Sequence, residues 1–132
     1  MNMLRGACLC GQVAFTAGAP TGTAIACHCD ECRRQSGHHF AAVPVAKRSL
    51  RMTRQETLRW YRASQIGKRG FCGACGSTLF WRGDEGAHVH LLMGALDAPT
   101  GLRLGAHVWV REKGDYYEIG SDLPQYREDE TC

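Results

Sequence analysis

The 132-residue sequence predicts a small, mainly β domain held together by metal, and three observations carry that reading. Glycine is frequent, at 16 residues, which suits short strands joined by turns. Apolar residues alternate in brief runs such as Val13-Ala14-Phe15 and Leu58-Arg59-Trp60-Tyr61. Seven of the eight cysteines fall in tight clusters: Cys8-Leu9-Cys10, Cys27-His28-Cys29-Asp30-Glu31-Cys32 and Cys72-Gly73-Ala74-Cys75. At this length the chain fits one domain, residues 1–132, with residues 1–3 and roughly 126–132 as loose ends.

The elements follow in order. Residues 4–8 and 12–16 flank the first thiol pair, the alternation in Val13-Ala14-Phe15 reads as a strand leaving a tight knuckle, and Gly11 allows the positive φ of that knuckle, whose amides point at sulfur. Residues 18–22 form a loop by their turn residues, and 23–26 a short strand that delivers Cys27. Asp30 is placed to cap a short helix over 31–35, which Ser36-Gly37 ends. The apolar run 40–46 reads as a buried strand, with Pro44 arguing for a sheet edge or a bulge. Further strands are expected at 50–52 and 57–62, the aromatics of the latter serving as core. Residues 68–77 make a second knuckle, followed by strands at 78–81, 88–93 and 102–110. The remainder is turn-rich and ends in the acidic run Glu128-Asp129-Glu130, read as a solvated terminus.

No apolar run of the signal-peptide kind opens the sequence, and none approaches the ~18 apolar residues of a membrane span. The expected setting is therefore cytoplasmic, with no membrane partner. In a reducing compartment the cysteines are candidate metal ligands before they are disulfides. The formal charge of +3 hints at an anionic partner, but seven thiolates remove seven and two Zn²⁺ add four, which brings it to zero. The compositional argument for nucleic acid goes with it.

Cys27 and Cys29 share one side of an extended segment, and Cys32 reaches the same point if the chain turns after Cys29. Three converging sulfurs matter because a structural zinc normally has four protein ligands, whereas a catalytic one keeps three and leaves a position for water or substrate. His28, between two of the thiols, points to the opposite side and is expected not to bind. The seven thiols divide in two ways. In one, Cys8, Cys10, Cys72 and Cys75 close a tetrahedral site and the triad keeps its own ion. In the other, Cys29, Cys32, Cys72 and Cys75 form a ribbon across residues 33–71, an interval about twice the usual ~15–20. A redox role for Cys72-x-x-Cys75 lacks the helix that a thioredoxin-like site needs.

The pattern Cys8-x-Cys10-Gly11 with Val13-x-Phe15, then Cys27-His28-Cys29-x-x-Cys32-Arg33-x-x-Ser36-Gly37, then Phe71-Cys72-x-x-Cys75-Gly76-Ser77, resembles the glutathione-dependent formaldehyde-activating enzyme family, whose domain is shared with centromere protein V. The resemblance takes in all seven thiols in order. It implies an Mss4-like fold of small antiparallel sheets around a structural zinc on Cys8, Cys10, Cys72 and Cys75. It also implies a second zinc, two per chain in all, on Cys27, Cys29 and Cys32, where chemistry takes place. The implied activity is condensation of formaldehyde with glutathione to S-(hydroxymethyl)glutathione, a carbon–sulfur lyase reaction.

A small pocket is expected between the triad, the residues after Gly37 and the strand at Phe40, with Arg33, Ser36, Gly37, His38, His39 and Phe40 as substrate-binding candidates. Arg33, Arg34, Lys47 or Arg48 could hold the carboxylates of a peptide thiol, and His38 or His39 could relay a proton or close the zinc shell. His88, His90 and His107 read as ordinary half-buried positions, and Cys132 as a terminal thiol. The alternative function is a zinc-stabilised binding module without turnover, which a fourth protein ligand on the second ion would favour.

Overall fold

The computed structural model describes residues 3–129. Among these residues ten strands form two packed sheets, and one α-helix lies outside them. The smaller joins β1 (Leu4–Ala7), β2 (Val13–Ala17) and β5 (Arg51–Gln55) in the order β1-β2-β5. The larger joins seven more strands: β3 (Ile25–Cys27), β4 (Phe40–Ala46), β6 (Leu58–Arg62), β7 (Gly67–Cys72), β8 (Thr78–Gly83), β9 (His88–Leu92) and β10 (Ala106–Val108). Their order is β10-β3-β4-β9-β8-β7-β6. The expectation of small antiparallel sheets needs two corrections. One sheet is large, and β10 runs parallel to β3, Ala106 opposite Ile25 and Val108 opposite Cys27.

Period-two alternation decides what the sheets bury. Val13, Phe15 and Ala17 turn inward from β2 to meet Val43, Val45, Val89 and Leu91 of the large sheet. Phe15 and Phe80 meet edge-on with ring centroids 5.0 Å apart. Each such side chain removed from water contributes ~1.5–3 kcal/mol, so this interlayer is the main core. A second, smaller apolar cluster lies on the opposite face of the large sheet and contains Ile25, Cys27, Cys32, Phe40, Leu92 and Val108. Helix α1 (Asp30–Ser36) covers it, and Gly37 ends the helix at φ 93°.

Pro44 lies inside a central strand rather than at a sheet edge. β3 pairs with β4 only as far as Ala42, so beyond that point the flank of β4 on that side is free of a strand. The Pro44 carbonyl turns to that flank and accepts from Thr21 N at 2.9 Å. The missing N–H therefore faces a loop and costs β4 no bond to β9.

The predicted strand over 102–110 shrinks to β10, and the tail that reads as loose is fastened in its described part. Tyr126 N donates to His107 O at 2.8 Å, Val110 N to Tyr126 O at 3.1 Å and Trp109 N to Glu128 O at 3.1 Å. Arg111 pairs with Glu128. Cys132, Glu130 and the first two residues lie outside the described residues. Among the described residues no helix is long and apolar enough to cross a membrane.

Candidate functional site

The first thiol cluster is a tetrad built from two knuckles of the same design. Cys8 and Cys10 lie between β1 and β2, Cys72 ends β7 and Cys75 lies in the turn to β8, so the tetrad ties the small sheet to the large one. Gly11 and Gly76 each follow a second thiol at φ 82°, a conformation that a β-carbon opposes. The turn this makes aims amides at sulfur: Val13 N lies 3.3 Å from Cys8 Sγ, and Ala74 N and Cys75 N lie 3.4 Å from Cys72 Sγ. Thr57 Oγ1 at 3.1 Å holds the Cys72 thiol below its usual range. The Ser77 hydroxyl, 3.2 Å from Cys75 Sγ, lowers that thiol to about 5.

The tetrad fits a tetrahedral cation. Metal–sulfur bonds of ~2.3 Å place ligand sulfurs about 3.8 Å apart. Cys8 Sγ is 3.6 Å from Cys10 Sγ, which is 3.8 Å from Cys72 Sγ. All seven described cysteines are free, which removes the disulfide alternative among them, and the grouping is the tetrad and triad rather than the mixed ribbon.

The second cluster, Cys27, Cys29 and Cys32, brings three sulfurs within 4.8 Å of one another at the end of β3 and in the first turn of α1. Cys29 rather than Asp30 caps the helix, its Sγ accepting from Cys32 N at 3.3 Å. Asp30 instead pairs with Arg33 at 2.7 Å and Arg34 at 3.1 Å. Cys27 and Cys32 are buried and Cys29 is half-buried, so the cluster opens to solvent on the Cys29 side. Hydrogen bonding with Cys27 and Cys32 holds Cys29 down at about 2, whereas Cys27 is pushed far above the thiol range by its bonds to Cys29 and Cys32 and by burial. Ionising all three requires a cation among them, so this donor set also fits a metal.

One charge beside the triad has no counterpart in the sequence reading. Arg69 of β7 is 3% exposed, with Nη2 3.6 Å from Cys32 Sγ and 3.2 Å from Glu31 Oε1, Nη1 3.4 Å from Gln35 Oε1, and its guanidinium 5.2 Å from the Phe40 ring centroid. Three thiolates around a divalent cation would carry one negative charge, which this guanidinium would offset.

His28 turns away from the triad, as the alternation requires. It is 1% exposed, with Nδ1 2.5 Å from Tyr117 Oη and Nε2 3.0 Å from His107 Nδ1, whose Nε2 lies 3.1 Å from Ser121 Oγ. Burial, then the neighbouring histidines, lowers His28 to about 4, so it is neutral at pH 7. The chain His28–His107–Ser121 with Tyr117 was missed because its members arrive from β10 and the C-terminal loops, distant in sequence and unmarked by any motif.

The remaining candidates sort by contact. Ser36 and Gly37 serve the helix end: Ser36 Oγ lies 2.6 Å from Cys32 O, and Gly37 N donates to Arg33 O at 2.8 Å. His38 Nδ1 lies 2.9 Å from Tyr116 Oη. The His39 ring lies between His28 and His38, its Nδ1 buried without a partner. Neither histidine joins the sulfur triad. Phe40 opposes Cys27 across β3 and β4. Lys47 does not reach this region; its Nζ donates to Gly83 O at 2.9 Å, near the opposite end of β4. A cleft of about 510 Å³ is lined by Leu9, His39, Ala41, Ser77, Leu92 and Ala95, so it runs from the histidines to the tetrad knuckles and borders the apolar cluster around the triad through Leu92.

Three comparisons bear on this arrangement. Residues 3–112 match the family model described as glutathione-dependent formaldehyde-activating enzyme. The chain is 25% identical over 132 residues to Uncharacterized lyase C29B12.13 of Schizosaccharomyces pombe, an alignment covering 99% of this chain and 96% of that protein. A crystal structure of a Rhodobacter sphaeroides protein has the same fold, with a TM-score of 0.62 at 24% identity over 74% of this chain and 91% of that one. With the match spanning both cysteine clusters, the chain belongs to the glutathione-dependent formaldehyde-activating enzyme family.

Proposed function

We propose that this protein is a zinc-dependent enzyme of carbon–sulfur chemistry, resembling S-(hydroxymethyl)glutathione synthase, which joins a small thiol such as glutathione to formaldehyde or another aldehyde. The observation that carries this reading is the triad itself: three cysteine sulfurs converge, and among the described residues no fourth His, Cys, Asp or Glu joins them. Of the two zinc ions per chain, the one on the tetrad is structural. Zinc held by Cys27, Cys29 and Cys32 would bind an incoming thiol as its thiolate at neutral pH.

The chain's own residues do the rest. Cys27, Cys29 and Cys32 fix the seat at the mouth of α1, and Phe40 and Leu92 exclude water from its inner side. Arg69 offsets the anionic charge. His39 lines the cleft, where its ring contacts a bound substrate. Sulfur attacks the carbonyl carbon, the π pair moves to oxygen, and the proton that the thiol gave up ends on that oxygen. There is no net redox change.

The test combines metal analysis with NMR detection of ¹³C-formaldehyde and glutathione. Two zinc per chain and S-(hydroxymethyl)glutathione formation faster than the enzyme-free blank are expected. A rate equal to the blank, with both ions retained, rejects the enzyme in favour of a zinc-stabilised binding module.

A further inference from the structure

Cys29, on the open side of the triad, is held at both flanks by the C-terminal part of the chain. On one flank His28 N donates to Val108 O of β10 at 3.0 Å, and on the other Asp30 N donates to Glu112 Oε1 at 2.9 Å. The His28 ring adds a third hold, with Nδ1 2.5 Å from Tyr117 Oη and Nε2 3.0 Å from His107 Nδ1. A neutral imidazole has one N–H and one lone pair, so these two partners use its whole hydrogen-bonding capacity. With the ring 1% exposed, bulk water does not replace a partner that is lost.

This hold bears directly on the sulfurs. Cys27 ends β3 and Cys29 is extended at φ −67° and ψ 162°, so the two thiols face one side and His28 the other. Any twist of this backbone that moves both sulfurs swings the imidazole the opposite way, and the imidazole is locked. The lock is built within a short stretch. Lys113 Nζ donates to Tyr117 O at 2.7 Å and to Gly114 O at 3.1 Å, closing the turn that presents Tyr117. Gly114 makes room where a β-carbon would overlap the Tyr116 ring, and Tyr116 reaches a different histidine, His38, at 2.9 Å. At the far end of the chain of bonds, His107 Nε2 lies 3.1 Å from Ser121 Oγ. Tyr117 and Ser121 both lie beyond residue 112, where the family match ends.

We infer that Tyr117 is a positioning residue of the triad, which through His28 sets where Cys27 and Cys29 present their sulfurs to a metal. A segment outside the family match thus completes the second metal site. Tyr117 touches no reacting atom and acts only through His28. This deepens the reading above by naming what governs the second zinc, and it rests on metal at the triad rather than on turnover.

The test therefore follows metal. The full chain is loaded with Co²⁺, whose thiolate charge-transfer bands report both clusters, and the triad's share is what Cys29→Ser removes. Tyr117→Phe keeps the ring and loses the hydroxyl. It is expected to shift the triad's bands and to weaken metal there ~10-fold in a chelator competition, with retention at the tetrad as in the unmodified chain. Tyr116→Phe, which loses the bond to His38, should leave both clusters unmoved. Where Tyr117→Phe folds poorly, Ser121→Ala at the exposed end of the same chain of bonds is expected to act in the same direction, ~3-fold. Unchanged bands and retention at the triad in Tyr117→Phe, or in Ser121→Ala where it stands in, overturn the inference. Equal weakening at both clusters, or an equal effect of Tyr116→Phe, overturns it too. An unmodified chain that holds metal at the tetrad alone removes the two-zinc reading and this inference with it. Turnover equal to the enzyme-free blank, with the expected metal pattern intact, counts against the reaction and supports the positioning role.

Discussion

The two cysteine clusters use the same ligand atom for opposite purposes. The tetrad draws its sulfurs from two knuckles 62 residues apart in sequence and sets them close to tetrahedral spacing, with hydroxyls and amides completing each sulfur's environment. The triad draws its sulfurs from six consecutive residues, holds Cys29 and Cys32 at 3.1 Å, and has a buried guanidinium where the tetrad has neutral donors. A closed site joining distant segments contributes to folding, and an open one built on a single turn contributes little to it.

This difference sets an order of expected effects. Cys72→Ser should be the most damaging, because zinc linkage to folding is on the order of 10 kcal/mol. Little soluble protein, or a transition at least ~15 °C lower by differential scanning fluorimetry, is expected. Cys29→Ser should remove one zinc per chain and the activity while moving the melting transition by only a few degrees. Equal thermal losses in the two variants would erase the distinction between the clusters. Arg69→Gln should weaken metal at the triad about 10-fold in a chelator competition and leave the tetrad's retention as it was. Ser77→Ala should have the smallest effect. Cys75 is held below the thiol range by the Ser77 hydroxyl, so it stays ionised as pH falls towards about 5. Losing that bond raises the thiol's pKa, protons compete with metal sooner, and zinc release from the tetrad during acid titration should begin at higher pH, with the triad's release unmoved.

The thiol spacings made both clusters legible before any coordinates, because ligand geometry is dictated locally by period two on a strand and by a turn after it. Gly11, Gly76 and Gly37 were legible for the same reason: each sits where the chain must reverse within a few atoms of its neighbours. Arg69 was not, since its burial depends on which strand lies beside β8 and on how far a side chain reaches under α1. Tyr117 and His107 stayed hidden because parallel pairing of β10 with β3 is a long-range choice that no local pattern encodes. Pro44 misled for a related reason, an edge being a property of the neighbouring strand's length rather than of the residue.

The dual duty of Cys29 has a mechanical corollary. Its sulfur both sits in the triad and anchors the Cys32 amide at the start of a seven-residue helix. Any exogenous ligand that pulls this sulfur aside frees that amide in the same movement, so exchange at the ion and fraying of the helix entrance become one event. Faster deuterium uptake at the Cys32 amide during thiol addition is its signature.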